Sequence, residues 1–211
     1  MRRLIFIVLG LMIPFGSRCQ VTSPKGFISL KILDDTLKVN GHNWKKDIAF
    51  KVCNDSQGDL LVYGFNTGRF RGIPFDASRL CDMENVGLGL GLIIYNSAGV
   101  QLSLTISITD RFSDKPMTKS RLDSITNIYR RGTTSDIVIF KRNSEKSFVK
   151  SVDVSPFELE KGTYFLQIVM YCGRQITFSV SKETIAADRK RSGADLYQGC
   201  SFSNMIRLIV E

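Results

Sequence analysis

The sequence has one histidine, His42. A Ser-His-Asp or Cys-His arrangement would have to be built on that residue, and multi-histidine metal sites are excluded. His42 lies in Asn40-Gly41-His42-Asn43-Trp44, between two stretches that read as strands, and fits a solvated turn. No C-x-x-C pair occurs, which removes the close ligand spacing of a structural zinc site. P-loop and G-x-G-x-x-G motifs are missing. Gly87-Leu88-Gly89-Leu90-Gly91 instead has a glycine at every second position of a strand pattern, where glycine marks a bulge or a close backbone approach. No metal and no cofactor is expected. Beyond residue 15 no apolar run reaches the roughly 20 residues needed to cross a bilayer. Internal repeats, low-complexity tracts and long Pro/Ser/Gly linkers are also lacking.

What is present begins with an export signal. Met1-Arg2-Arg3 is cationic, Leu4 to Phe15 is apolar apart from Gly10 and Pro14, and Gly16-Ser17-Arg18-Cys19 is mostly small. A basic start, a short apolar stretch and a small-residue exit define a secretory signal. Ser17 and Cys19 suit a cut before Gln20, and lipid attachment at Cys19 is the alternative. The expected location is exported: periplasm, outer-membrane surface or secreted. Residues 1–19 then form the signal, and 20–211 read as a single domain without a transmembrane span.

The formal net charge is +9; Arg2, Arg3 and Arg18 leave with the signal and no acid does, so +6 remains. In an exported protein such a charge faces lipid headgroups and acidic polysaccharides more than nucleic acid. Four cysteines stay behind: Cys53, Cys81, Cys172 and Cys200. In an oxidising compartment they are disulfide candidates. The spacing favours Cys53–Cys81 with Cys172–Cys200, each closing a loop beside a strand, and a Cys53–Cys172 bridge is the rival.

The periodicity is that of strands and turns, which predicts an all-β fold. Strands are expected at 28–32, 36–39, 48–53, 60–65, 88–95, 100–108, 136–140, 147–154, 164–172, 176–180 and 205–211. In the 164–172 stretch, Tyr164, Leu166, Ile168, Met170 and Cys172 share one face. One or two short helices in loops are expected: a surface helix or 3₁₀ turn at Ser120–Arg131, and a helical turn or a mobile loop at Glu183–Arg191.

Leu159-Glu160-Lys161-Gly162-Thr163-Tyr164 has the form L-x-x-G-x-Y before the longest strand. It resembles the tyrosine corner of immunoglobulin-like sandwiches, and its surroundings resemble exported bacterial immunoglobulin-like proteins. Tyr197 to Asn204, ahead of the last strand, is similar to the same kind of envelope protein. The resemblance implies an immunoglobulin-like antiparallel β-sandwich in which the tyrosine hydroxyl bonds back to backbone; it implies fold rather than activity. The sequence departs from antibody domains in placing Cys172 eight residues after Tyr164 rather than two, and in placing Trp44 early.

Binding candidates are Arg69-Phe70-Arg71, where Phe70 could stack on a ligand between two cations, and Trp44. Asp188-Arg189-Lys190-Arg191 is a second basic cluster, and Asp34, Asp35, Asp110 and Asp114 are carboxylates by type only. The expectation is a non-catalytic envelope module that binds a protein or an anionic glycan. Its rivals are an inhibitor-like sandwich presenting the Asn66–Gly87 loop and a carboxylate-based hydrolase.

Overall fold

The computed structural model describes residues 28–65, 70–73, 77, 88–104, 136–173 and 180–211. In chain order it contains β1 (Ile28–Ile32), β2 (Thr36–Val39), β3 (Lys45–Asn54), β4 (Leu60–Tyr63), β5 (Arg71–Gly72), β6 (Leu88–Tyr95), β7 (Ile137–Phe140) and β8 (Ser144–Asp153). A 3₁₀ turn (Ser155–Phe157), β9 (Gly162–Cys172), helix α1 (Lys182–Ser192), β10 (Asp195–Leu196), β11 (Gly199–Phe202) and β12 (Ile206–Val210) follow. Among the described residues the fold is mostly β, helix α1 and the 3₁₀ turn being short, and most strand pairs are antiparallel.

The described strands form three sheets: β1-β3-β8, β10-β4-β7, and β2-β12-β9-β6-β5 with β11 also against β9. The alternating pattern of β1 and β3 buries Ile28, Leu30 and Ile32 with Ile48, Phe50 and Val52. These meet Leu90, Leu92 and Ile94 of β6 and Leu166, Ile168 and Met170 of β9 in one apolar core. Five phenylalanines close one side. Phe50 packs on Phe65, Phe70 and Phe148 with ring centroids 5.6–6.3 Å apart, and Phe65 lies edge-on to Phe140 at 5.5 Å. Each fully buried ring contributes about 1.5–3 kcal/mol relative to exposure.

The first strand region serves two sheets. β1 pairs antiparallel with β3, whereas β2 pairs parallel with β12. Asp34 makes the change possible: its carboxylate accepts the Ala49 N–H at 3.0 Å after Leu33 has taken the Ala49 carbonyl. Next, the Asp35 carbonyl accepts from Arg207, which opens the ladder to β12.

A second junction lies between β11 and β12. Both run along the same side of β9, but three residues, 203–205, stand opposite two, 167–168, so the strand bulges. Ser203 keeps the ladder: its N–H donates to the Ile168 carbonyl and its Oγ accepts the Ile168 N–H at 3.0 Å. Asn204 turns to β1, where its Oδ1 accepts the Ile32 N–H at 2.7 Å.

β7 and β8 each end a sheet, and lysines occupy the gap between them. The Lys146 amine donates to the Ile139 carbonyl at 2.9 Å and lies over the Phe140 ring. Lys150 donates to the Phe65 carbonyl at 2.5 Å and lies over the Phe65 ring. Inward-facing charge of this kind blunts a strand edge.

Helix α1 replaces the helical turn expected at Glu183–Arg191. Ser181 caps its start by accepting the Thr184 N–H, and Gly193 at φ 68° ends it by donating to Arg189. The expected 100–108 return strand is reduced, in the part described, to a bridge between Tyr95 and Gln101 and a bond from Leu102 to Ile94. The helix expected at 120–131 lies outside the described residues, as do the signal segment and most of the 176–180 strand. Two-residue β5 and β10 and the four-residue β11 were not expected from periodicity.

Candidate functional site

β9 is covered on both faces, because its neighbours supply apolar residues at both parities. Leu166, Ile168, Met170 and Cys172 enter the main core. Phe165, Gln167, Val169 and Tyr171 line the opposite, outer face of the six-stranded sheet. There Val169, Ile93, Cys200, Ile73 and Ala77 make a second small cluster, with half-buried Tyr95, Tyr171 and Phe202 packed on it. The register sets Tyr95 opposite Phe165, Ile93 opposite Gln167 and Tyr171 opposite Cys200.

Gly91 explains how the cluster forms. A Cβ at this position would overlap the side chains of Ile73 and Val169. Glycine therefore lets Ile73 lie directly on the sheet. This is the close approach expected from the Gly87–Gly91 pattern.

Gln167 is fixed at both ends of its amide. Tyr95 donates to its Oε1 at 3.1 Å, and its Nε2 donates to the Ser203 carbonyl at 2.7 Å. The face therefore presents half-exposed aromatics at Tyr95, Phe165, Tyr171 and Phe202 around an oriented amide, with exposed Arg207 opposite Phe165. Such a surface can stack on a flat apolar group and hydrogen-bond at its rim.

No family model, no curated protein and no solved structure matches the chain. The chemistry of the face therefore rests on its own geometry.

The residues singled out from sequence fall elsewhere. Phe70 is buried in the core, its ring edge-on to Phe50 at 5.8 Å, so it stacks on protein and not on a ligand. Arg69 lies outside the described residues; Arg71 begins β5 and its backbone pairs with Gly91. Trp44 is half-buried against the core, and its carbonyl accepts from Val154. His42 is exposed in the turn, as expected. Asp110, Asp114 and most of the Asn66–Gly87 loop lie outside the described residues.

The cysteine pairings meet a geometric obstacle. Cys172 stands opposite Gly199 and Cys200 opposite Tyr171, so the two are one residue out of register and on opposite faces of the sheet. Cys172 lies in the main core and Cys200 in the outer cluster, and no disulfide joins them. Cys53 is a thiol on the outward face of β3, between buried Val52 and Asn54, so it does not reach Cys172 across the core either. Cys81, the partner expected for Cys53, lies outside the described residues. Burial pushes the Cys172 thiol up to about 12, which removes it as a nucleophile at neutral pH.

Several described carboxylates are committed to partners. Asp188 is buried and accepts from Tyr63 at 2.8 Å and Arg191 at 2.7 Å. The cluster Asp188–Arg191 thus anchors α1 to β4. Burial, and then the bond to Asp188, push the Tyr63 phenol well above its usual range. Asp59 pairs with Lys141, Glu145 with Lys51, Asp153 with Lys45 and Asp195 with Arg189. Among the described residues no three His, Cys, Asp or Glu side chains gather into a possible metal site.

Proposed function

We propose that the protein is an exported, non-catalytic immunoglobulin-like sandwich that binds a protein or glycan partner through the outer face of its six-stranded sheet. The observation that carries the reading is the row of half-exposed aromatics around the clamped Gln167. Aromatic anchors with a polar rim are the usual composition of recognition surfaces.

Several features support the fold half of the reading. The first strand region is divided between β3 and β12. The Tyr164 hydroxyl donates to the Glu160 carbonyl at 3.1 Å, the backbone bond expected of a tyrosine corner. Two residues after Tyr164, where antibody domains carry a bridging cysteine, Leu166 is fully buried. Apolar packing would take the place of the bridge. Export is supported by the Met1–Cys19 pattern.

Capture from envelope fractions and from an array of acidic and neutral glycans tests the reading. Phe165→Arg and Tyr171→Arg should each reduce capture at least about tenfold, equal to 1.4 kcal/mol or more. Val149→Arg, on the exposed face of the other sheet, should leave it unchanged. Capture that survives both aromatic changes in variants that melt like the parent would sink the assignment of this face.

A further inference from the structure

The turn between β2 and β3 holds the pair Asn40-Gly41, both exposed. Asn40 Oδ1 accepts two backbone N–H groups, from His42 at 3.1 Å and from Asn43 at 2.9 Å. The Asn43 N–H also reaches the Asn40 carbonyl at 2.9 Å, so the turn closes around this side chain. Nothing lies within 4 Å of where a Cβ on Gly41 would stand. Among the described residues the Gly41 N–H has no acceptor.

We propose that Asn40 is a self-modification site, at which the folded protein converts its side-chain amide to a carboxylate through a cyclic imide with Gly41. The Gly41 amide nitrogen gives up its proton to solvent and bonds to Cγ of Asn40. The Cγ–Nδ2 bond breaks, and the amide nitrogen takes up a proton and leaves as ammonia. Water then opens the five-membered ring at either carbonyl, leaving an aspartyl or an isoaspartyl residue. No oxidant or further reactant is needed.

Three features favour the step. Charge develops on Oδ1 as the tetrahedral adduct forms, and two N–H groups already point at it. Glycine puts no side chain in the path of the attacking nitrogen. Open space around the turn admits water. Asn96 serves as an internal comparison, because its Oδ1 also accepts two backbone N–H groups, from Ala98 at 3.0 Å and Val100 at 2.9 Å, yet Ser97 follows it.

The product places a new negative charge in the turn that leads into Trp44, Lys45 and Lys46. The isoaspartyl form also lengthens the backbone by one methylene where the chain passes from one sheet to the other.

The test is site-resolved peptide mass spectrometry on the full chain aged in mildly alkaline buffer at physiological temperature. The expected result is an amide-to-acid mass gain at position 40, split between aspartyl and isoaspartyl peptides, on the order of tenfold faster than at Asn96. Gly41→Ala should suppress it, with an unchanged melting curve showing that the turn still folds. An intact Asn40 after Asn96 or Asn143 has converted would overturn the proposal. So would conversion at position 40 that proceeds undiminished in Gly41→Ala.

Discussion

Tyr63 and Asp188 show how much one buried polar pair can decide. Tyr63→Phe would leave one Asp188 oxygen without its donor and should cost about 1–3 kcal/mol in chemical denaturation. Because the Tyr63 pKa is raised on folding, its contribution is complete below the unfolded value, near pH 10, and is lost as pH rises beyond it. Denaturation midpoints measured against pH should therefore fall on the alkaline side in the parent and fall less in Tyr63→Phe. Gly91 is the matching apolar case. Gly91→Ala would force Ile73 and Val169 apart and should cost about 1–3 kcal/mol, and Ile73→Val in the same chain should recover part of that loss in a double-mutant cycle. The thiols differ by environment: a maleimide should label half-exposed Cys53 in the folded protein and reach Cys172 only on unfolding. Rapid native labelling of Cys172 would contradict its burial.

Among the elements, those with a strong period were legible from sequence. β1, β3 and β12 alternate cleanly, and parity alone puts Leu166, Ile168, Met170 and Cys172 of β9 on one face. β5 and β10 were not, since two residues carry no period, and β11 hid in a glycine- and serine-rich stretch. The outer face of β9 escaped notice for a related reason. Its aromatics come from β6, β9 and β11, and only register brings them together. Phe70 misled because two flanking arginines suggest a loop, while the aromatic cluster that claims its ring is distant in sequence. The Ser203–Asn204 bulge is the element with the sharpest test. Asn204→Ala should release the Ile32 amide, which hydrogen exchange would read as faster exchange there, with a stability loss of about 1–2 kcal/mol. Unchanged Ile32 protection would mean that the Asn204 side chain does not tie β12 to β1.

For the molecule as a whole, acid is the weak side. Lys141 and the Arg142 N–H hold the Asp59 carboxylate below its usual range, and Lys51 does the same for Glu145. Burial pushes Asp153 up, but the Ser155 hydroxyl and N–H and the Lys45 amine outweigh it. Lowered carboxylates contribute above their unfolded pKa, so these contributions fade as pH drops below about 4. Thermal melting should show a plateau near neutrality and a decline below that pH, with added salt shrinking the difference.

The parallel pairing of β2 with β12 sets an order of events. β12 lies inside its sheet, between β2 and β9, although it is the last strand in sequence. Everything from β2 to β12 must therefore be available before the larger sheet can close. Until then β2 and β9 hold open edges, and the pairing that seals them spans most of the chain. Such long-range closure makes folding slow, on a scale of milliseconds to seconds. It also makes residues 206–210 a poor place to trim or to fuse a tag.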